Sequence, residues 1–214
     1  MKDIIICGAG GFGREVACLI RRINEKSPIW NIVGFTDPDQ SLWGTRNRYG
    51  KILGDDSVIN YWKTPINVVV TVGNPHLFKK IVSNIHNANV EFPNIIHPDF
   101  MTADKDSFSI GRGNIIQGNC WVSCDVSIGD FNVFNGSVVL GHNVIIGSYN
   151  TFMPAVRVSG EVIIGDCNFF GVGSIILQLL KLGNNIRIGA GSVLMTKPKD
   201  GCLYIGIPAK KTEY

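Results

Sequence analysis

Between Ile110 and Leu194 a bulky apolar residue returns at every sixth position, fifteen times in succession. The series is Ile110, Ile116, Val122, Ile128, Phe134, Leu140, Ile146, Phe152, Val158, Ile164, Phe170, Ile176, Leu182, Ile188 and Leu194. Glycine often follows directly, at Gly111, Gly129, Gly141, Gly147, Gly165, Gly171, Gly183 and Gly189. A period of six fits neither an isolated amphipathic helix nor an alternating strand. It is typical of a parallel β-helix, in which each hexapeptide forms one short strand and one corner.

A second period, of eighteen residues, is superimposed on the period of six. It relates Gly111, Gly129, Gly147, Gly165 and Gly183, and also Asn114, Asn132, Asn150 and Asn168. Three hexapeptides therefore form one coil of a triangular prism, with about five coils spaced by ~4.8 Å. Gly and Asn suit corners with left-handed backbone, and stacked Asn side chains can form a hydrogen-bonded ladder. We expect the bulky residue and the residue four positions later to point inward, the latter at Cys120, Val126, Val138, Val144, Val156 and Val162.

Composition limits the classes of function. The net charge of +3 is too small to predict binding to nucleic acid, although it is compatible with a phosphorylated ligand. The six cysteines form no CxxC pair and no signal peptide is recognisable, which favours reduced thiols and a cytoplasmic protein. No apolar run approaches the ~20 residues of a membrane span.

The N-terminal segment begins with a strand, a glycine-rich turn and a helix. Ile4 to Cys7 is an apolar run, Gly8-Ala9-Gly10-Gly11-Phe12-Gly13 follows, and residues 14–23 have helical apolar spacing. This context makes the GxGxxG motif a phosphate site, because glycine lets backbone N–H groups approach an anion at a helix N-terminus. A second strand, Asn31 to Phe35, ends near Asp37, where an acidic residue usually meets a ribose or a base. Glycine-rich turns without any ligand remain the alternative.

The rest of this segment predicts half of a dinucleotide fold. Residues 38–51 form a loop, Asn67 to Val72 is a buried-type strand, and Leu77 to Ile85 is helical. Gly73 and Asn74 come directly after that strand, at the sheet edge where open parallel sheets bind ligands. About 95 residues leave room for one βαβαβ unit, so a mononucleotide group fits better than NAD. We predict domains over residues 1–94 and 95–214.

His142 is the one histidine within the repeats. It lies two residues past an inward position and should face outward, with Cys124 one coil before it and Gly160 one coil after. Asp125 and Glu161 stack in the same way on Asn143. Such a histidine is either a general base or a solvated surface residue. A nucleophilic Cys124–His142 pair is conceivable, the alternative being a small thiol at a stacked position. No cluster has metal-ligand spacing.

The chain resembles a known family at several motifs. The hexapeptides and the closing Gly206-Ile207-Pro208-Ala209-Lys210 resemble left-handed β-helix acyltransferases that use acetyl-CoA. The stretches Ile4–Val16, Val33–Asp37 and Val72–Asn74 resemble one branch more closely. That branch contains sugar O-acyltransferases of the sialic acid type and nucleotide-sugar N-acetyltransferases of polysaccharide biosynthesis, and the resemblance covers essentially the whole chain.

The resemblance implies an α/β nucleotide-binding half-Rossmann unit followed by a left-handed parallel β-helix, in a homotrimer. It implies transfer of acetyl from acetyl-CoA to the amine of a nucleotide-linked sugar, with His142 as general base. Residues implied for the acceptor nucleotide are Gly8, Gly10, Gly11, Phe12, Gly13, Asp37, Gly73 and Asn74. Residues implied for the cofactor groove between neighbouring prisms are Thr151, Gly171, Gly173, Gly189, Ala190, Pro208 and Lys210. The lysines near the C-terminus either meet a phosphorylated cofactor or form a solvated tail.

Three positions depart from the family pattern. The residue after the histidine is usually acidic and here is Asn143, so Asp125 or Glu161 could serve as the partner of His142. Thr151 stands where some members have a second histidine near the acetyl group, and Phe12 stands where some have a histidine in the glycine loop. The catalytic set is therefore His142, Asn143, Asp125 and Glu161. Two alternatives remain open, a sugar O-acetyltransferase and a catalytically silent relative that binds a nucleotide sugar.

Overall fold

A computed structural model describes residues 1–213, so that Tyr214, the last residue of the predicted C-terminal domain, lies outside the described residues. The chain divides into two compact units, Met1–Pro98 and a second that begins at Asp99. Among the helices of the described part, none is long and apolar enough to cross a membrane.

The N-terminal unit is a parallel sheet with helical connections. Its elements are β1 Lys2–Cys7, α1 Gly11–Lys26, β2 Trp30–Thr36, a 3₁₀ turn Gln40–Leu42, β3 Ile52–Gly54, α2 Ser57–Asn60, β4 Ile66–Val70, α3 Pro75–Asn84, β5 Val90–Glu91 and β6 Ile95–Ile96. Five strands pair in the order β3-β2-β1-β4-β5, and every pairing is parallel. The order reverses direction at β1 and β4, which is the switch point where such sheets bind ligands.

The continuous apolar sequence of β1 is explained by its burial. Ile4, Ile5 and Ile6 are all fully buried, because a central parallel strand is covered on both faces. Helix α1 is amphipathic, and its buried residues include the four predicted from helical spacing: Val16, Leu19, Ile20 and Ile23. The three-residue strand β3 was not expected, since Ile-Leu-Gly is too short to show a period.

The second unit is a three-sided parallel β-helix. Face 1 contains β7 Met101–Thr102, β10 Trp121–Val122, β13 Val139–Leu140, β16 Arg157–Val158, β19 Ile175–Ile176 and β22 Val193–Leu194. Face 2 contains β8 Phe108–Ile110, β11 Val126–Ile128, β14 Ile145–Ile146, β17 Ile163–Ile164 and β20 Lys181–Leu182. Face 3 contains β9 Ile115–Ile116, β12 Val133–Phe134, β15 Thr151–Phe152, β18 Phe169–Phe170 and β21 Arg187–Ile188, then the hairpin β23 Leu203–Gly206 and β24 Ala209–Thr212.

The register between coils confirms the period of eighteen. Phe134 pairs with Phe152, and Phe152 pairs with Phe170. Their rings stack inside the prism with centroids 4.7 and 4.6 Å apart and planes within 5° of parallel. The predicted inward residues are buried, except that Ile110, in the first coil of the series, remains partly accessible.

The asparagine series forms the predicted ladder. Asn132 Nδ2 donates to Asn114 Oδ1 at 3.1 Å, and Asn150 Nδ2 donates to Asn132 Oδ1 at 3.0 Å. Asn168 Nδ2 continues the ladder to Asn150 Oδ1 at 2.9 Å. All four side chains are fully buried. Because each also bonds backbone groups of a neighbouring coil, the ladder satisfies polar groups that would otherwise be buried without partners.

The corners differ from the expectation in one respect. Residues with a left-handed backbone conformation recur every six positions. Most of them are neither Gly nor members of the predicted Asn ladder. The series consists of Asn119, Asp125, Phe131, Ser137, Asn143, Tyr149, Ala155, Glu161, Cys167, Leu179 and Asn185, together with Gly113, Gly173 and Gly191. The repeated glycine after the apolar residue has another reason. A Cβ on Gly129 would lie 2.6 Å from the carbonyl oxygen of Gly147, so close stacking of coils requires glycine there.

The prism has three edges, one between each pair of neighbouring faces. The His edge joins faces 1 and 2 and contains residues 123–126, 141–144 and 159–162. The Asn edge joins faces 2 and 3 and contains residues 129–132, 147–150 and 165–168. The groove edge joins faces 3 and 1 and contains residues 153–156, 171–174 and 189–192.

Candidate functional site

Hydrogen bonds tie three strand ends together at the carboxyl edge of the N-terminal sheet. The backbone N–H of Gly8 donates to Thr36 O at 2.9 Å, which joins the glycine loop to the end of β2. Thr71, after β4, donates from its Oγ1 to Cys7 O at 2.6 Å. The glycine loop, the segment of Asp37 and the segment of Gly73 therefore leave the sheet at the same edge, as the sequence predicts.

The glycines of this edge fall into two groups. Gly8 has a φ of +107°, and a Cβ on Gly13 would lie 1.8 Å from Gly8 O, so the fold itself requires these two. A Cβ on Gly10, Gly11 or Gly73 would meet nothing within 4 Å. These three glycines line open space, where backbone can approach a ligand.

The N-terminus of α1 has the properties of an anion site. Gly10 is the N-cap and supplies no side-chain cap, and the first turn contains no acidic residue. The first backbone bond of the helix runs from Arg14 N–H to Gly10 O at 3.1 Å. The N–H groups of Gly11, Phe12 and Gly13 therefore have no acceptor within the helix, and they carry its positive partial charge.

Asp37 and Asn74 both have structural partners at this edge. Asp37 Oδ2 accepts the backbone N–H of Ala9 at 3.1 Å, so the carboxylate positions the glycine loop itself. Asn74 Oδ1 caps α3 by accepting the N–H groups of His76 and Leu77 at 3.0 and 3.1 Å. Asp37 lies beside the loop, whereas Asn74 is at the start of α3, and any contact of either with a ligand is additional to these bonds.

Cys7 lies under the loop and is not a nucleophile. Burial, followed by the charge of Asp56, raises the pKa of the Cys7 thiol well above its ordinary value. A thiol that stays protonated is a packing group, because the thiolate is the reactive form.

On the β-helix, His142 is exposed on the His edge. Its Nδ1 lies 2.9 Å from Oδ1 of Asn143. Because an amide oxygen only accepts, this contact is a hydrogen bond when Nδ1 carries the proton, and that tautomer leaves a lone pair on Nε2. The other side of the ring lies against the next coil, where a Cβ on Gly160 would be 2.5 Å from Nε2. Gly160 thus leaves the space that the imidazole occupies.

The residues eighteen positions before and after His142 and Asn143 stack on them in adjacent coils, as the period of eighteen predicts. Asn143 N–H donates to Cys124 O at 3.1 Å, and Glu161 N–H donates to His142 O at 2.8 Å. Among residues 1–213, however, no hydrogen bond or ion pair joins the imidazole to Asp125 or Glu161. Both carboxylates belong to exposed left-handed corner residues, one coil to either side of Asn143. The partner of the imidazole is therefore the amide of Asn143.

The Asn edge shows what equivalent positions do when their role is structural. Asp130 Oδ1 accepts the N–H of Arg112, and Ser148 Oγ accepts that of Asp130. Asp166 and Asn184 continue the series by accepting from Ser148 and Asp166. Each side chain thus caps the backbone of the preceding coil. His142 occupies the equivalent position on its own edge, and within residues 1–213 its side chain caps no backbone group of another coil.

A groove of about 250 Å³ lies along face 3 and the groove edge. It contains three of the predicted cofactor residues, Gly171, Gly189 and Ala190. The remaining lining is mostly apolar and was not predicted: Met153, Phe169, Val172, Arg187, Ile188, Leu203 and Ile205. Phe169 and Arg187 precede inward residues, so the repeat predicts that they face outward. Leu203 and Ile205 come from the C-terminal hairpin, for which the repeat gives no signal.

The other predicted cofactor residues lie outside this lining. Thr151 is only 1% exposed, and its Oγ1 has no hydrogen-bond partner within the described chain. Gly173 has a φ of +65° on the groove edge, with open space where a Cβ would be. Pro208 and Lys210 are exposed at and after the turn of the hairpin. Within residues 1–213, no group of His, Cys, Asp and Glu could hold a metal ion.

Comparisons with known proteins find similarity in sequence at the N-terminal segment and in structure along the chain. Residues 3–85 match the family described as the PglD N-terminal domain. No curated protein matches the sequence. This chain is similar to the acetyltransferase domain of PglB from Neisseria gonorrhoeae in complex with acetyl coenzyme A, at 25% identity, a TM-score of 0.85 and coverage of 99% of both chains.

Two further solved structures are similar over the whole chain. PerB from Caulobacter crescentus, in complex with CoA and GDP-perosamine, is 24% identical with a TM-score of 0.85, covering 100% of this chain and 98% of that one. WeeI from Acinetobacter baumannii is 24% identical with a TM-score of 0.87, covering 99% and 100%. The predicted fold, a Rossmann-like unit followed by a left-handed β-helix, is confirmed, and so is the resemblance noted from the motifs.

Proposed function

We propose that this chain is an acetyl-CoA-dependent acetyltransferase that acylates the amine of a nucleotide-linked amino sugar. The observation that carries the proposal is the likeness, along 99% of both chains, to a PglB acetyltransferase domain with bound acetyl coenzyme A. PerB, bound to CoA and GDP-perosamine, supports an acceptor of the same class. Acetyl-CoA as co-substrate and six free cysteines favour a reaction in the cytoplasm.

The proposed chemistry is direct transfer with His142 as the base. The acceptor nitrogen attacks the thioester carbonyl, and Nε2 of His142 takes a proton from that nitrogen. A new C–N bond forms as the C–S bond breaks, and the thiolate of CoA then recovers the proton from the imidazolium. A backbone N–H stabilises the oxyanion, and positioning of both substrates supplies much of the acceleration.

The groove along face 3 is the proposed place of the pantetheine arm of acetyl-CoA. Gly171, Gly189 and Ala190 expose backbone beside apolar walls, which suits a chain of methylene and amide groups. Arg187 brings a positive charge to the same groove, where the cofactor's phosphates would be attracted. Gly173, Thr151, Pro208 and Lys210 remain candidate contacts outside the lining.

The N-terminal sheet edge is the proposed place of the acceptor's nucleotide. The free N–H groups at the start of α1 and the open space above Gly10, Gly11 and Gly73 suit a diphosphate. Asp37 and Asn74, which position the loop and α3, flank this space. Phe12 contributes an apolar side chain where the family pattern has a histidine.

We propose a homotrimer, and the separation of the two parts of the β-helix site supports an assembly of several copies. His142 lies on the His edge, whereas the groove lies along a different edge of the same prism. We propose that a neighbouring copy brings its groove to His142. Face 2, which borders the His edge, carries exposed apolar side chains on adjacent strands, since Ile145 is 49% and Ile163 is 36% exposed. Such a stripe suits burial against a second copy.

Replacement of both Ile145 and Ile163 by Glu should dissociate this assembly. Two carboxylates on the apolar stripe would lose solvation on association, so sedimentation should give a molar mass near one chain. Transfer activity should fall with the assembly, because the site needs two copies. Tyr61→Glu, at a 74% exposed position directly after α2, is the control and should change neither quantity. Full activity in a monomeric double variant would contradict the shared site.

The acetyltransferase proposal itself is tested by release of CoA thiol with a panel of nucleotide-linked amino sugars. We expect turnover that requires both acetyl-CoA and a free amine, and a product whose mass is increased by one acetyl group. The matched hydroxy sugars distinguish O-acetylation from N-acetylation. Binding of a nucleotide sugar without turnover of any acceptor would favour the silent relative, an alternative motivated by the amide partner of His142.

A further inference from the structure

We infer that Asn143 is a positioning residue that keeps His142 in the tautomer with its proton on Nδ1, without placing a negative charge behind the ring. Its consequence for catalysis rests on the proposed function. Oδ1 of Asn143 lies 2.9 Å from Nδ1, so the amide accepts and the lone pair stays on Nε2. An imidazole side chain without such a bond favours the opposite tautomer, which has no lone pair on Nε2.

The backbone holds Asn143 in place for this task. Its φ of 57° puts it in the left-handed region, which Asn tolerates better than most residues. Its N–H is bonded to Cys124 O at 3.1 Å, which fixes the corner against the preceding coil. The side chain therefore starts from a defined position next to the imidazole.

Among residues 1–213, no charged group is bonded to the ring in place of the amide. The titratable groups that stack nearest are Cys124 and Asp125 in the preceding coil and Glu161 in the following coil. Asp125 and Glu161 are exposed and form no hydrogen bond with the ring among residues 1–213. Water and salt screen charges at such sites. The pair of His142 and Asn143 is thus neutral when the imidazole is neutral, and the amide orients the base without a negative charge behind the ring.

Two substitutions test this role, and the corner tolerates both. Asp125 has a φ of 55° one coil earlier, so Asn143→Asp is compatible with the backbone. Ala155 has a φ of 63° at the equivalent position of another corner, so Asn143→Ala is compatible as well. Nitrogen NMR of the His142 ring in the full-length protein without substrates reports the tautomer directly.

We expect wild type to show the proton on Nδ1, and Asn143→Ala to shift the ring toward the Nε2–H tautomer. In Asn143→Asp the tautomer should be retained, and the acid limb of the kcat profile should lie at higher pH than in wild type, because a carboxylate at this distance favours the imidazolium. Asn143→Ala should lower kcat by about tenfold, less than loss of the base itself.

A wild-type ring with its proton on Nε2, or a tautomer unchanged in Asn143→Ala, would overturn the inference. The NMR result does not depend on turnover. If the tautomer behaves as expected but loss of His142 leaves the rate intact, the proposed base fails while the positioning role of Asn143 stands.

Discussion

His142→Ala should lower kcat for acetyl transfer by about 10²–10⁴-fold, the usual contribution of a positioned general base. The KM values for both substrates should change little, because His142 belongs neither to the lining of the groove nor to the glycine loop. Steady-state kinetics with one nucleotide-linked amino sugar and acetyl-CoA measure all three quantities. Thermal unfolding should be near that of wild type, since the side chain is exposed and caps no backbone group.

The stacked carboxylates provide the controls for this experiment. Asp125→Asn and Glu161→Gln each remove one charge next to His142 along the same edge. We expect both variants to be nearly silent, because neither carboxylate is hydrogen-bonded to the ring. A His142→Ala protein that keeps more than half of its turnover would reject the general-base role and leave positioning as the source of catalysis.

Gly10→Val should raise the KM for the acceptor by at least about tenfold and leave that for acetyl-CoA nearly unchanged. The new side chain would project into open space, since nothing lies within 4 Å of the Cβ position. Gly10 has a φ of −69° and an extended ψ, which valine adopts without strain. The variant should therefore fold normally and obstruct only a ligand at the N-terminus of α1.

The measurement combines acceptor and acetyl-CoA titrations with thermal unfolding. Gly13 is unsuitable for the same purpose, because its Cβ would collide with Gly8 O and unfold the loop. Equal increases in both KM values for Gly10→Val would show that the loop does not distinguish the acceptor from the cofactor. No change in either value would remove the loop from the binding site.

The β-helix could be predicted because its information is local and repeated. The residues from Ile116 to Leu194 at six-residue spacing are buried as predicted, and Asn114 to Asn168 form the expected ladder. The corner conformation could not be assigned from residue types. Phe131, Tyr149 and Ala155 are left-handed although none of them prefers it, because the stacking of coils fixes the backbone there.

The candidate sites show the same limit. The period placed His142 beside Asp125, Glu161 and Gly160, but choosing its partner required the orientation of Asn143. In the groove, Gly171 and Gly189 belong to the repeat, whereas Leu203 and Ile205 reach it from a hairpin beyond the repeat. The direction of a side chain such as Asn143, and the return of a hairpin to the groove, do not produce a periodic pattern in the sequence.

The ladder of buried asparagines also restricts how such a chain can change in length during evolution. Loss or gain of six residues would keep an apolar residue pointing inward, yet it would bring an aliphatic or aromatic side chain against the amide of Asn132 or Asn150. Only gain or loss of eighteen residues returns every side chain to its own edge. Relatives should therefore differ by whole coils, and each added coil would move the histidine along the prism axis by one strand spacing without turning it to another edge.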